Sequence, residues 1–215
     1  MSKLHPNPNK DANFELKRED GTITNDKSEV AKTFNKFFVE KVADLKNNID
    51  QKYVGNPLEK LEVEMASKKV SFTLKTVSVD EVKTHPSSMK KKTSSGADDI
   101  PQYLMALGAD ALAGPLTKII NASICQGKVP SFWKEAVVTP VLKKGSSLDV
   151  NNYRPVSCLI GAAKILESVV SKRVTNFMES NALFPENQHG FRALRSTMSA
   201  LSIIQKEWIK GMKNK

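Results

Sequence analysis

Apolar residues recur at helical intervals along several stretches of the chain. Val30, Phe34, Phe38, Val42, Leu45 and Ile49 fall three or four apart, the spacing of one helix face. Asp26 precedes Glu29 by three positions and supplies a capping box for that helix. Ser78 and Glu81 repeat the signal, and the helix they open meets Pro86, where it must kink or stop. Pro101 suits a first helical position, so a helix is predicted over residues 102–112. Gly114-Pro115 restarts a second one to about Gln126, with Leu116, Ile119, Ile120 and Ile124 on one face and Gly127 and Pro130 closing it. A long helix is predicted over residues 161–180, with Leu166, Val169, Val170, Val174, Phe177 and Met178 along one side. Ser196 caps a last helix that carries Leu201, Ile204, Trp208 and Ile209.

Elsewhere the pattern is strand-like. EAVVTPVL at 135–142 is β-branched, and residues 153–159 form a second run after the turn Lys143-Lys144-Gly145-Ser146-Ser147. Pro140 and Pro155 exclude both from being fully paired central strands, which leaves a β-ribbon with a basic tip. Residues 70–77 read as a short strand. Residues 14–24, with Asp20-Gly21 in the middle, fit a hairpin and a plain loop equally well. The polar stretch 1–25 reads as a flexible arm, and residues 26–77 as a helical linker. The fold class is α+β, mainly helical with a short β-ribbon.

Charge adds a partner class. Over 215 residues the net charge is +10. Residues 1–75 hold 14 basic and 12 acidic side chains, whereas residues 76–215 hold 19 and 11. A polyanion would therefore meet the second portion. No apolar run approaches the ~20 residues that span a bilayer, and MSKLHPNPNK lacks a signal-peptide core. Cys125 and Cys158 make no disulfide framework, and His5, His85 and His189 are too scattered for a zinc cluster. The expectation is an intracellular chain, cytoplasmic or nuclear, without a membrane partner.

Candidate chemistry gathers in four places, the last of them Arg195-Ser196-Thr197. Lys90-Lys91-Lys92 leads into Thr93-Ser94-Ser95-Gly96, a flexible basic loop. Lys143 and Lys144 at the ribbon tip, with Arg154 on the return strand, can converge on a triphosphate, lysine as point charge and arginine as bidentate fork. The competing reading is a solvated turn. In Gln188-His189-Gly190-Phe191-Arg192, glycine permits close approach of a ligand, Phe191 can stack on a base or sugar, and Arg192 and Arg195 can neutralise phosphates. The alternative is a surface loop with Phe191 tucked into the core.

NNYRPVSCLIGAAKILESVV at 151–170 and ENQHGFRALRST at 186–197 resemble the first two reverse-transcriptase motifs of non-LTR (LINE, jockey- or CR1-like) retrotransposons. GADDIPQYLM at 96–105 is similar to the segment before the fingers of that family, and GPLTKIINASICQGKVPSFWKEAVVTPVLKKG at 114–145 to its fingers. GTITNDKSEVAKTFNKFFVEKV at 21–42 is similar to its endonuclease–polymerase connector. The resemblance implies an incomplete right-hand polymerase: residues 78–215 as fingers and the start of the palm, truncated before the catalytic motifs. It places Arg154 with Lys143 or Lys144 on the phosphates of an incoming deoxynucleotide. It lays Gln188, Gly190, Phe191 and Arg192 along the template, with Arg195 as a backbone contact. RNA template and DNA primer would be the partners.

Nucleotidyl transfer in the family is two-metal chemistry on palm aspartates, and this sequence has no aspartate after Asp149. Mg²⁺ is implied for the complete polymerase, and no catalytic residue, metal site or cofactor is expected for this chain alone. Asp98-Asp99 read as a turn or helix entry, Asp99 standing where the family usually has Gly. The function expected is that of a fragment of a retrotransposon RNA-directed DNA polymerase, a decayed copy or a reading frame cut short, inactive by itself. The rivals are a non-catalytic basic nucleic-acid-binding module and a relic without function.

Overall fold

In the computed structural model, which describes residues 14–18, 20–52, 56, 58–59, 62, 70–89 and 92–213, the Asp20-Gly21 segment closes into a hairpin. Strand β1 (Leu16–Lys17) pairs antiparallel with β2 (Ile23–Thr24). The Asp20 carboxylate accepts from the Thr22 amide and hydroxyl at 2.9 and 2.7 Å, which locks the turn. Helix α1 (Lys27–Lys52) follows, and Asp26 caps it by accepting from the Glu29 amide at 2.8 Å. Glu29 takes a different partner from the one its capping box predicts. Arg18 reaches across from the hairpin and grips it through two hydrogen bonds of 2.6 and 2.7 Å, and the Thr24 hydroxyl adds a third.

Leu16, Val30, Phe34 and Tyr153 are buried together, with Phe14, Phe38 and Val150 against them. The rings of Phe34 and Tyr153 meet edge to face at 4.9 Å. Of the expected flexible arm, residues 14–18 and 20–25 are thus packed onto α1 and the ribbon, and residues 1–13 lie outside the described residues. Only the first half of the α1 stripe is buried: Val42, Leu45 and Ile49 are exposed. Gly55 and Pro57 of the expected break also lie outside the described residues.

The main core joins Val77, Val82, Met89, Met105, Leu116, Ile120, Ile165, Leu166 and Val169. Residues 70–78 carry no regular structure, so the expected strand does not form. The backbone of Val77 pairs instead with one side chain: its N–H donates to Asn121 Oδ1 at 2.7 Å and its carbonyl accepts from Asn121 Nδ2 at 3.0 Å. Ser78 caps α2 (Val79–Thr84), accepting from the Glu81 amide at 3.1 Å. At Pro86 the helix tightens into a 3-10 turn, His85–Met89.

Helix α3 (Gln102–Leu107) ends at Gly108, and α4 (Ala109–Gln126) runs straight through Pro115. The expected break at 114–115 falls six residues earlier. Gly108 leaves helical geometry at φ −89°, ψ 11°, while burial of Ala113, Leu116, Thr117 and Ile120 holds the next helix together across Pro115 despite the bond and the ring clash that proline costs it.

Strands β3 (Ala136–Leu142) and β4 (Tyr153–Leu159) form the expected ribbon, with Val141 opposite Arg154 and Pro140 opposite Pro155. Lys143 N–H donates to the Asn152 carbonyl at 2.7 Å. Bonded pairs alternate with non-bonded ones in an antiparallel ladder, so the two prolines face each other at a non-bonded pair, where neither ring deletes a cross-strand bond.

Helix α5 (Gly161–Ser180) buries Gly161, Ala163, Ile165, Leu166 and Val169 in its first half. The chain divides into one unit ending at Val170 and another beginning at Ser171. The second unit holds the rest of α5, an irregular loop and α6 (Thr197–Lys213), whose first turn is capped by the Ser196 hydroxyl on the Ser199 amide at 3.3 Å. Met198, Leu201, Ile204, Trp208 and Ile209 of α6 are exposed. No helix among the described residues is long and apolar enough to cross a membrane.

Candidate nucleic-acid interface

The ribbon tip, residues 143–152, is built by short-range hydrogen bonds. Asn152 Nδ2 donates to the Ser146 carbonyl at 2.9 Å, and the Tyr153 hydroxyl donates to the Ser147 carbonyl at 2.9 Å. Asp149 accepts from the Asn151 amide and side chain, both at 2.9 Å, and those bonds hold its carboxyl below the usual aspartate range. Gly145 turns the chain at φ +82°. From the hairpin, Lys17 N–H adds a bond to the Leu148 carbonyl at 2.9 Å. The tip is therefore fixed at both flanks.

On this frame Lys143, Lys144 and Arg154 are exposed, and among the described residues no carboxylate pairs with any of them. Strand alternation turns Tyr153 into the aromatic cluster and Arg154 to the opposite face. Lys143 follows Val141 by two positions and so shares the face of Arg154. Two of the three predicted cations are brought together on one side of the ribbon, and Lys144 lies beyond the ladder.

The described part of the basic Ser/Gly loop, residues 92–96, is held by hydrogen bonds to the start of α3. Tyr103 N–H donates to the Lys92 carbonyl at 2.9 Å, and Gln102 Nε2, fully buried, donates to Ser94 Oγ at 2.8 Å. Gly96 presses against the β4–α5 junction so closely that a Cβ there would lie 2.4 Å from the Ile160 nitrogen. Lys90 and Lys91 lie outside the described residues. Burial lowers the Lys164 pKa, with the Lys92 charge adding in the same direction.

In the second unit the loop after α5 is organised around Arg192. Its Nε and Nη2 donate to the two carboxylate oxygens of Glu179 at 2.8 and 2.7 Å. Its Nη1 reaches the carbonyls of Pro185 and Gln188, both at 3.3 Å, and the guanidinium lies 4.9 Å from the Phe184 ring centroid. The hydrogen bond from Arg192 is the main cause holding the Glu179 carboxyl below the usual glutamate range, and the same bond raises Arg192. Gln188 Nε2 donates to the Gly190 carbonyl at 3.0 Å, and Arg195 Nη1 donates to the Glu186 carbonyl at 3.1 Å. His189 is buried, with Nδ1 2.7 Å from Ser199 Oγ.

Phe191 is fully exposed and not tucked into the core. Both Phe191 (φ 61°) and Leu194 (φ 60°) are left-handed, a conformation that costs an L-residue with a Cβ about 1–2 kcal/mol. Leu194 is fully exposed as well. Gly190 is exposed, and a Cβ there would meet only the Gln188 side chain, at 3.5 Å.

Among these groups, nothing in the sequence pattern marks Glu179 or Leu194. No local motif marks a carboxylate 13 residues before its arginine. Among the described residues no group of three or more His, Cys, Asp or Glu side chains could hold a metal ion.

Comparison with known proteins gives no match to a family model. Curated proteins do match. The chain is 29% identical over 147 residues to the RNA-directed DNA polymerase from mobile element jockey of Drosophila melanogaster, covering 68% of this chain and 16% of that protein. It is 32% identical over 126 residues to the jockey polymerase of Drosophila funebris, covering 58% of this chain and 14% of the relative. It is also 28% identical over 148 residues to the probable RNA-directed DNA polymerase from transposon BS of Drosophila melanogaster, 68% of this chain and 16% of the relative. The matched stretch spans about one-sixth of the length of these relatives at most.

Proposed function

Because this chain is homologous to part of the RNA-directed DNA polymerases of jockey and other non-LTR mobile elements, we propose that it is the template- and nucleotide-contacting portion of such a polymerase. Residues 78–215 act as the fingers and the start of the palm, residues 26–77 as the connector, and residues 1–25 as its leading arm. Lys143, Lys144 and Arg154 hold nucleotide phosphates. Gln188, Gly190, Phe191, Arg192 and Arg195 form the template-side loop.

The observation that carries this reading is the end of the ribbon: Lys143 and Lys144 at the tip and Arg154 on β4 are exposed cations without an acidic partner among the described residues, on a hydrogen-bonded frame. A solvated turn has no need of so fixed a base. The open surface at Gly190 and the full exposure of Phe191 favour a ligand at the second loop. The sequence carries no aspartate after Asp149, which favours binding without polymerisation by this chain alone, the behaviour of a non-catalytic module.

Replacing Lys143, Lys144 and Arg154 together by alanine is expected to weaken binding of a deoxynucleoside triphosphate by about tenfold or more. An unchanged nucleotide affinity removes the ribbon from the phosphate site. Primer extension on an RNA template with Mg²⁺ is expected to stay at background, and incorporation by the chain itself refutes the non-catalytic part.

A further inference from the structure

Arg192 has little left to offer a phosphate. A guanidinium carries five N–H donors. Two of them go to Glu179 and two to the carbonyls of Pro185 and Gln188. The side chain is only 12% exposed and lies over Phe184. The group is a fastener that ties position 192 back to the loop backbone at Pro185 and Gln188 and to Glu179 at the end of α5.

Its neighbours on either side point outward. Phe191 and Leu194 are 107% and 106% exposed, and both backbones are left-handed. A loop free to relax would bury such side chains and leave that backbone region. Here the inward pull on Arg192 sets the turn that puts them outside. We propose that Glu179 is a positioning residue which, through Arg192, presents Phe191 and Leu194 as a two-pronged apolar contact for unstacked bases of a single strand.

The occupant follows from chemistry. An aromatic face and a branched aliphatic group three residues apart suit base stacking and wedging, which are tolerant of sequence. Residues 171–215 hold eight basic side chains against three acidic ones, a charge suited to a polyanion and unsuited to another copy of the same surface. The inference rests on the template-side reading of this loop and changes its content: Arg192 acts through the loop, and Leu194 joins Phe191 as a contact.

The test uses the full chain, a single-stranded RNA oligonucleotide carrying 2-aminopurine, and amide hydrogen exchange over residues 188–195. Glu179→Gln is expected to raise exchange at least tenfold, lower affinity several-fold and abolish the 2-aminopurine unstacking signal, while leaving the salt slope unchanged. Leu194→Ala, at a fully exposed side chain, is expected to reduce affinity and signal with exchange unaltered. Wild-type binding that Glu179→Gln and Leu194→Ala leave intact overturns this inference alone. A salt slope lowered by Arg192→Gln by about 0.7 also overturns it, since that is the signature of a direct phosphate contact. Absence of wild-type binding overturns the template reading and this inference together. Loss of self-association in Leu194→Ala, with RNA binding unchanged, assigns the two prongs to protein contact and overturns the proposal.

Discussion

Gly96 sits where two backbones nearly touch, and replacing it by alanine tests how rigid that contact is. An added Cβ would lie 2.4 Å from the Ile160 nitrogen, 2.7 Å from its Cα and 2.7 Å from the Leu159 carbonyl carbon. Ordinary contact begins near 3.4 Å, so the segments must part by about 1 Å. The obstacle is backbone, and it cannot rotate away as a side chain would. The same junction is pinned by Ile160, which is buried, and by Gly161, packed against Met105. Overpacking costs ~1–3 kcal/mol, and a backbone obstacle at 2.4 Å puts this case at the upper end, while the smaller entropy of alanine in the unfolded chain returns ~0.4–1 kcal/mol. Gly96→Ala is therefore expected to lose about 2 kcal/mol in urea denaturation without a change in m. At ~2–4 °C per kcal/mol for a chain of this size, Tm falls by about 4–8 °C. Gly211→Ala is the control: apart from its chain neighbours and its own helix backbone, nothing lies within 4 Å of its added Cβ, and it stands inside α6. That variant is expected to gain up to ~0.5–1 kcal/mol. A Gly96→Ala protein within 0.5 kcal/mol of wild type would refute the reasoning.

Two further outcomes follow from single side chains. Asn121→Ala strips both partners from the buried Val77 backbone, and at ~1–3 kcal/mol per orphaned group a melt should show a loss of about 3 kcal/mol; a loss under 1 kcal/mol contradicts the clip. Glu29, bound by Arg18 and Thr24, is held down to about 2 against an ordinary 4.5. Its folded pKa is depressed, so its contribution is complete above pH 4.5 and disappears as pH falls through about 2. A carboxyl titration by NMR checks this, with Arg18→Ala moving the midpoint back upward; a wild-type midpoint above 4 contradicts the pair.

The sequence announced those elements whose ends carry local chemistry. Ser78 and Asp26 marked helix starts because a cap acts within three residues, and the two strand-like runs holding Pro140 and Pro155, with a polar turn between them, described a ribbon. Pro115 is a louder local signal than Gly108, yet the ~3 kcal/mol that a proline costs inside a helix is outweighed by tertiary packing, since Leu116 and Ile120 of the same helix lie in the core. Asp99 stands where the resembling family usually has Gly, and its φ of 54° shows why glycine suits that position. The candidate cations were legible as residues, but their surroundings were not. Nothing near Arg154 in the chain says it has no acidic neighbour, and nothing near Arg192 says that Glu179, on the preceding helix, already holds it. Such pairings are made by tertiary packing, which a local pattern does not record.

A ribbon of two strands has two open edges, each able to seed pairing with another chain. At a non-bonded pair the N–H groups point away from the partner strand, so Pro140 and Pro155 each delete an outward donor near the middle of an edge. Any strand that tried to extend the ribbon from either side would meet a gap and a ring. The same two residues that cost the ladder nothing keep it at two strands.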